Sequence, residues 1–350
     1  MTLMSKLFII LTSIFLFHHG LFAENPQHLY NMPPGSGPLE IEAFFFLSDI
    51  NYINEQDETF EIKGSLELTW VDSRQAFDSV SEGTNYKLYQ GPYQFLEVYE
   101  GWWPQLVAAN GVGNIPLQGI SLKNLHNGRM VLIQEIAATL KSSMNLRKYP
   151  FDKQQLQIML EPLSFNSSEI KLISGPDMTD LPKRHLKIAS WDLVDLTAHS
   201  RIEKDERSSH EYSQLVIYLD MQRKPGYTTW LVFVPLTFII LLSSSIYWMD
   251  AESLGNRMDI SFIGLLTIVA YQAMVESGLP KIDYFTLIHG FVYISYLVMA
   301  IFIMSNILID QLNRNKKLEL ADKIDRIARW LMPCTFVILN LVSGIYFYLS

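Results

Sequence analysis

Cysteine is almost missing from this sequence: among 350 residues only Cys334 occurs, inside an apolar run near the C-terminus. A disulfide framework is excluded, and so is any metal or redox motif built on paired cysteines. Basic charge is also scarce. With 27 Lys and Arg against 36 Asp and Glu, and a formal net charge of −9, the chain lacks the positive face that nucleic-acid binding requires. There is no glycine-rich phosphate loop, no GxSxG elbow and no His/Cys metal spacing, so the parts of a nucleotide enzyme, a hydrolase or a zinc site are absent. The eight histidines are scattered, and one such as His126 suits a turn or the surface better than a metal. The reading is of a non-enzyme without cofactor or metal.

Long hydrophobic runs, in contrast, are plentiful. Residues 1–23 have Lys6, then LFIILTSIFLF, then GLFA, the layout of a secretory signal peptide cleaved after Ala23. Four more apolar segments, 229–249, 258–277, 284–309 and 327–349, each reach the roughly 20 residues that a spanning helix needs. The link between the last two holds Arg314, Lys316, Lys317, Lys323, Arg326 and Arg329, which by the positive-inside bias places it in the cytoplasm and the N-terminal half outside. The exported part, 24–225, alternates polar and apolar residues in short runs such as FEIKGSLELTWVD and YSQLVIYLDMQ, broken by turn clusters such as HNGR. Period-two runs of this kind read as a β-sandwich, followed by a transmembrane domain over 226–350.

The second apolar segment carries two carboxylates, Asp259 and Glu276. A charge in the hydrocarbon region costs several kcal/mol unless water or a partner reaches it. Asp259, Ile263, Leu266, Ala270, Ala273 and Ser277 fall on one helical stripe, with Glu276 beside its end. Phe262, Leu265, Val269 and Tyr271 stand opposite, suited to packing on other helices or lipid. A stripe of Ile, Leu and Ala serves core packing as readily as it lines a conduit. A membrane-anchored periplasmic sensor or binding protein without conduction also accounts for a sandwich joined to helices.

RKYPFDKQQL (147–156) resembles the signature loop of the pentameric ligand-gated ion channels, the Cys-loop receptor superfamily. Ser142 and Leu156 stand where two cysteines bracket that loop in animal receptors, which is similar to the prokaryotic branch lacking the pair. LTWVD (68–72), WWP (102–104), QRKPGY (222–227), the acid-tipped helix and GLPK (278–281) follow in the family's order. The resemblance implies a β-sandwich extracellular domain and a four-helix transmembrane bundle, repeated in a homopentamer around a central pore. It also implies a bacterial inner membrane location, with the sandwich in the periplasm and lipid around the helices.

On that basis Asp259, Ile263, Leu266, Ala270, Ala273 and Glu276 line the pore. Rings of five carboxylates concentrate cations, so a cation-selective channel follows, and Leu266 matches the family's hydrophobic gate. Gly255 and Asn256 replace a glutamate usual in the family's cation channels, and Ile263 replaces a Ser or Thr. The agonist site implied between subunits draws Glu161, Leu163, Phe165, His199 and Tyr212 from one face and Trp70 and Arg129 from the other. EPLSFN resembles an amine-gated bacterial relative, in which an acid and aromatics hold an ammonium, but Ala109 and Leu163 replace expected aromatics. Trp70 equally suits the sandwich core, as Trp102 and Trp191 do. Coupling to the pore is implied for Arg223 paired with Asp152 and Glu55, and for Pro280 and Tyr284 beneath them. Glu55, Glu58, Asp152, Glu161 and His210 place titratable groups at interfaces, so protons join small molecules as candidate agonists.

Overall fold

A computed structural model describes residues 29–113, 118–175, 188, 190–204, 210–249, 254–277 and 282–349. The expected signal peptide and Pro280 lie outside the described residues. Ten strands come first: β1 (Leu39–Asn54), β2 (Thr59–Val71), β3 (Tyr86–Gln90), β4 (Leu106–Ala108), β5 (Gln118–Leu125), β6 (Arg129–Lys141), β7 (Lys153–Pro162), β8 (Ile170–Ser174), β9 (Trp191–Lys204) and β10 (Glu211–Arg223). They form a six-stranded sheet, β3-β5-β6-β2-β1-β8, and a four-stranded sheet, β4-β7-β10-β9. All pairings are antiparallel except β1 with β8.

Alternation along the strands makes the two-sheet core. On β2 the inward set is Phe60, Ile62, Gly64, Leu66, Leu68 and Trp70, every second residue, as a pleated strand with one buried face requires. Gly64 leaves room for β1: a Cβ there would stand 2.5 Å from the Phe45 ring and 2.6 Å from the Phe46 carbonyl oxygen. From the other sheet Leu156, Ile158 and Leu160 of β7 and Leu215, Ile217 and Leu219 of β10 meet this set in one apolar cluster.

Four long helices follow: α1 (Gly226–Trp248), α2 (Leu254–Glu276), α3 (Leu287–Arg314) and α4 (Leu318–Leu349), each long and apolar enough to cross a membrane. The expected β-sandwich followed by four apolar helices is therefore what the chain contains. The helix limits differ from those read in the sequence. Helix α4 starts at Leu318, not at 327, because LELADKIDRIARW is itself a helix former whose Ala321, Asp325 and Ala328 turn inward at helical spacing. Most of the charged link is thus the first turns of a helix. Helix α3 starts after Tyr284, at Leu287, where the Thr286 side chain caps it by accepting from the His289 backbone N–H at 3.4 Å. A second apolar cluster, among the helices, gathers Leu236, Ile240 and Tyr247 of α1, Ile268 of α2, Phe302 of α3 and Phe336 of α4.

Candidate functional site

The junction of sandwich and helices is organised by Arg223, the last residue of β10. Its Nε donates to Asp152 Oδ1 at 2.7 Å, its Nη2 to Asp152 Oδ2 at 3.3 Å, and its Nη1 to Glu55 Oε1 at 2.5 Å. The expected trio is therefore assembled. Side chains of Arg223 and Asp152 are 4% and 1% exposed, so this is a buried, bidentate ion pair, while Glu55 at 22% is wetter. Burial works against the Arg223 charge, but hydrogen bonds to Asp152 and the fields of Asp152 and Glu55 outweigh it and hold the guanidinium above its ordinary pKa.

Two aromatics complete the clasp. The guanidinium lies 4.0 Å from the Trp191 ring centroid and 4.5 Å from that of Tyr149. Trp191, read in the sequence as core alone, is buried and also stacks on the charge. Gln154 donates to Asp152 Oδ2 at 2.6 Å and to the Asn145 carbonyl at 2.8 Å, fixing the carboxylate from behind. Tyr284 reaches up from below: its hydroxyl accepts from the Leu146 N–H at 3.1 Å and donates to the Met144 carbonyl at 3.4 Å, and Arg147 lies 5.4 Å from its ring centroid. The Leu287 N–H donates to the Arg147 carbonyl at 3.0 Å, a backbone tie between this loop and α3. A cavity of about 900 Å³ opens beside the same loop, between Arg147, Lys148 and Phe151 and the ends of α3 and α4 at Leu287 and Tyr348.

On α2 the expected pore stripe lies outside the subunit's own packing. Asp259, Ile263, Leu266, Ala270, Ala273 and Glu276 are all exposed within the subunit, with Ile263 at 64% and Leu266 at 67%. Arg257, Ser261, Gly264 and Ile268 are buried against the other helices. Gly264 permits that contact, since a Cβ there would stand 2.5 Å from Ser243 Oγ and 2.8 Å from Met299 Cε. Phe262 and Val269 are about half exposed within the subunit, so lipid or a neighbouring subunit is what they are left to pack on. Glu276 is oriented by Gln272, which donates to it at 2.5 Å and accepts from the Tyr296 hydroxyl of α3 at 2.6 Å.

The residues expected to hold an agonist divide. Glu161, His199 and Tyr212 share the outer face of the four-stranded sheet, because strand register sets Arg201 opposite Gln214, His199 opposite Val216 and Tyr212 opposite Glu203. There Gln214 donates to Glu161 Oε2 at 2.7 Å and accepts from Arg201 at 3.1 and 3.2 Å, so Arg201 and Gln214 join a cluster that the sequence reading missed. Leu163 is exposed beside it. Trp70 does not belong: it falls on the inward parity of β2, is 1% exposed and packs edge-on against Trp102 at 6.1 Å. Arg129 is exposed beside outward-facing Val71, 3.7 Å from Glu42. Phe165 also turns in, onto Trp102 at 5.8 Å, and borders a separate cavity of about 310 Å³ with Tyr30, Trp103 and Gln105.

The family model of the neurotransmitter-gated ion-channel ligand binding domain matches residues 20–225. The chain is 24% identical to the proton-gated ion channel of Gloeobacter violaceus over 327 residues, 92% of this chain and 88% of that one. It is 24% identical to pH-sensitive chloride channel 2 of Drosophila melanogaster over 329 residues, and 26% identical to a gamma-aminobutyric acid receptor subunit beta of Lymnaea stagnalis over 267. Those alignments cover 89% and 71% of this chain but only 60% and 51% of the two relatives.

Proposed function

The chain belongs to the neurotransmitter-gated ion-channel family, the ligand-gated channels whose ligand-binding domain it carries, and from that premise we propose a cation-selective homopentameric channel, opened by a small ligand or a change in pH at its extracellular domain. The observation that carries this reading is the two-faced α2. Its small and polar face is used up by the subunit's own helices, while the face bearing Asp259, Leu266 and Glu276 is left for an axis shared with other subunits. Five copies around that axis set Asp259 and Glu276 as two carboxylate rings and Leu266 as a ring of apolar side chains between them. Acidic rings hold cations and repel anions, and an apolar constriction closes by dewetting.

The division of labour follows the fold: residues 24–225 receive the stimulus and 226–350 conduct. A motion of the sandwich reaches the helices through Arg223, Asp152 and Glu55 and through Tyr284, with Pro280 on the same outer link. Protons as stimulus are supported by the similarity to a proton-gated channel. A small-molecule agonist is supported by the outer cluster of Glu161, His199 and Tyr212. Arg201 reaches Glu161 only through Gln214 and also lies 3.4 Å from Glu203, so the cluster carries charges of both signs and suits a zwitterion as well as an amine. The setting that fits is a bacterial inner membrane with the sandwich in the periplasm.

The experiment is voltage clamp in a salt gradient, with pH steps between about 5 and 9 and a panel of small amino acids and amines. Current reversing near the cation potential is expected, and Asp259→Asn with Glu276→Gln should reduce both conductance and cation preference. A wild-type current that reverses at the chloride potential would overturn the selectivity.

A further inference from the structure

Two residues before Asp259, α2 carries Arg257, which points the other way and is 1% exposed. Its Nη1 donates to Asp325 Oδ1 of α4 at 2.7 Å, and its Nη2 donates to the Met249 carbonyl beyond the end of α1. Its Nε has no partner among the described residues. The second oxygen of Asp325 lies 3.8 Å from Arg329 Nη2, whose guanidinium also donates to the Tyr247 carbonyl at 2.8 Å. Two guanidinium groups thus share one carboxylate, at the end of α2 away from the sandwich.

We infer that Asp325 is a determinant of ion selectivity, acting as the counter-charge that keeps Arg257 from opposing the Asp259 ring. The inference rests on the reading that α2 lines the pore. Its physical basis is the burial of the pair. A guanidinium shielded from water acts through low dielectric, so its field is weakened less with distance than that of a surface charge. Repeated in every subunit around the axis, an uncompensated Arg257 would set a positive collar beside the acidic ring. Paired with Asp325 it contributes little net field, and the charge left over, on Arg329, is 32% exposed and so better screened by water. Asp325 touches no permeant ion in this account; it is a positioning and neutralising residue that works through Arg257.

Reversal potentials in a salt gradient test this with three variants. Asp325→Asn is expected to lower the cation-to-anion permeability ratio about threefold or more, and Asp325→Glu to restore it. Arg257→Gln should move the ratio the opposite way. The double variant Asp325→Asn/Arg257→Gln removes one charge of each sign and should return the ratio toward wild type. If burial of an unpaired arginine prevents Asp325→Asn from assembling, Arg257→Gln and the double variant still decide the matter, since neither leaves Arg257 without its carboxylate. A bracket with a purely structural role would change current size or surface expression without moving the reversal potential, and that result would overturn the inference. So would a double variant displaced as far as Asp325→Asn. Failure of the cation reading shows separately, in the sign of the wild-type reversal potential, because the ordering of the variants is the same whichever ion the wild type prefers.

Discussion

Replacing Asp152 with Asn puts the electrostatic clasp to its most direct test. The substitution keeps the shape but removes the charge, and Nδ2 cannot accept from Arg223, so one of the two bonds at 2.7 and 3.3 Å is lost as well. Breaking a buried pair by removing one partner costs about 3–5 kcal/mol, because the remaining charge is left desolvated. Glu55→Gln removes a charge from the same guanidinium, but at a site with 22% side-chain exposure. Water there replaces part of what is lost, and about 1 kcal/mol is expected. Since about 1.4 kcal/mol is a factor of ten, the two variants should differ by more than tenfold in the equilibrium they disturb. Stacking on Trp191 and Tyr149 remains in both and cannot explain the difference. The double variant Asp152→Asn/Arg223→Gln should be less damaging than the sum of its parts, with a coupling of about 1–3 kcal/mol. The assays are the midpoint of the activation curve and the thermal inactivation of purified channel, which together catch a cost borne by gating or by folding. The reasoning fails if Glu55→Gln is as harmful as Asp152→Asn, or if Asp152→Asn leaves both measurements unchanged.

Leu266→Ser should make the constriction wettable, seen as resting current without stimulus and activation at weaker stimulus; unchanged resting current at normal surface expression counts against a gate there. Trp70→Ala should cost about 3–5 kcal/mol of stability, read as a lower inactivation temperature, while the surviving channels keep their agonist selectivity because the side chain reaches no surface. Burial raises the Tyr99 phenol above its ordinary pKa of 10.0, with the Asp72 carboxylate and Tyr89 adding to the shift. The unfolded chain therefore ionises first, so stability is complete below that value and falls as pH rises past it. Tyr99→Phe, which also gives up the 3.0 Å bond to the Trp102 carbonyl, should lose less stability than wild type between about pH 8 and about pH 11; equal losses would assign the alkaline sensitivity elsewhere.

What could be read from the sequence follows physical range. The strands were legible because alternation is local, and four helices because a run of apolar residues is local too. Resemblance points Trp70 to a ligand site and its aromatic bulk suits the core equally; the parity of Phe60, Ile62, Leu66 and Leu68 on the same strand decides for the core. Hydropathy alone shortens α4, because it sees charge where helix propensity sees Leu, Glu, Ala and Lys. Arg223, Asp152 and Glu55 came through resemblance, whereas the stacking of Trp191 and Tyr149 on the guanidinium had no signal in spacing at all. The same holds for Arg257 and Asp325, 68 positions apart on different helices, and for Arg201, whose approach to Gln214 depends on how β9 and β10 are registered.

Arg223 ends β10 and Gly226 begins α1, so Lys224 and Pro225 alone separate the clasp from the first membrane helix. Two residues can span at most about 11 Å between the flanking Cα atoms, and the proline ring removes one of the few torsions available. A connection this short and stiff stores no slack: it behaves as a crank rather than a tether. On the proposed channel reading the angle at which the sandwich sits is handed to α1 with little loss, so a longer or glycine-rich insertion between positions 223 and 226 should uncouple stimulus from conduction, read as lost stimulated current at an unchanged inactivation temperature.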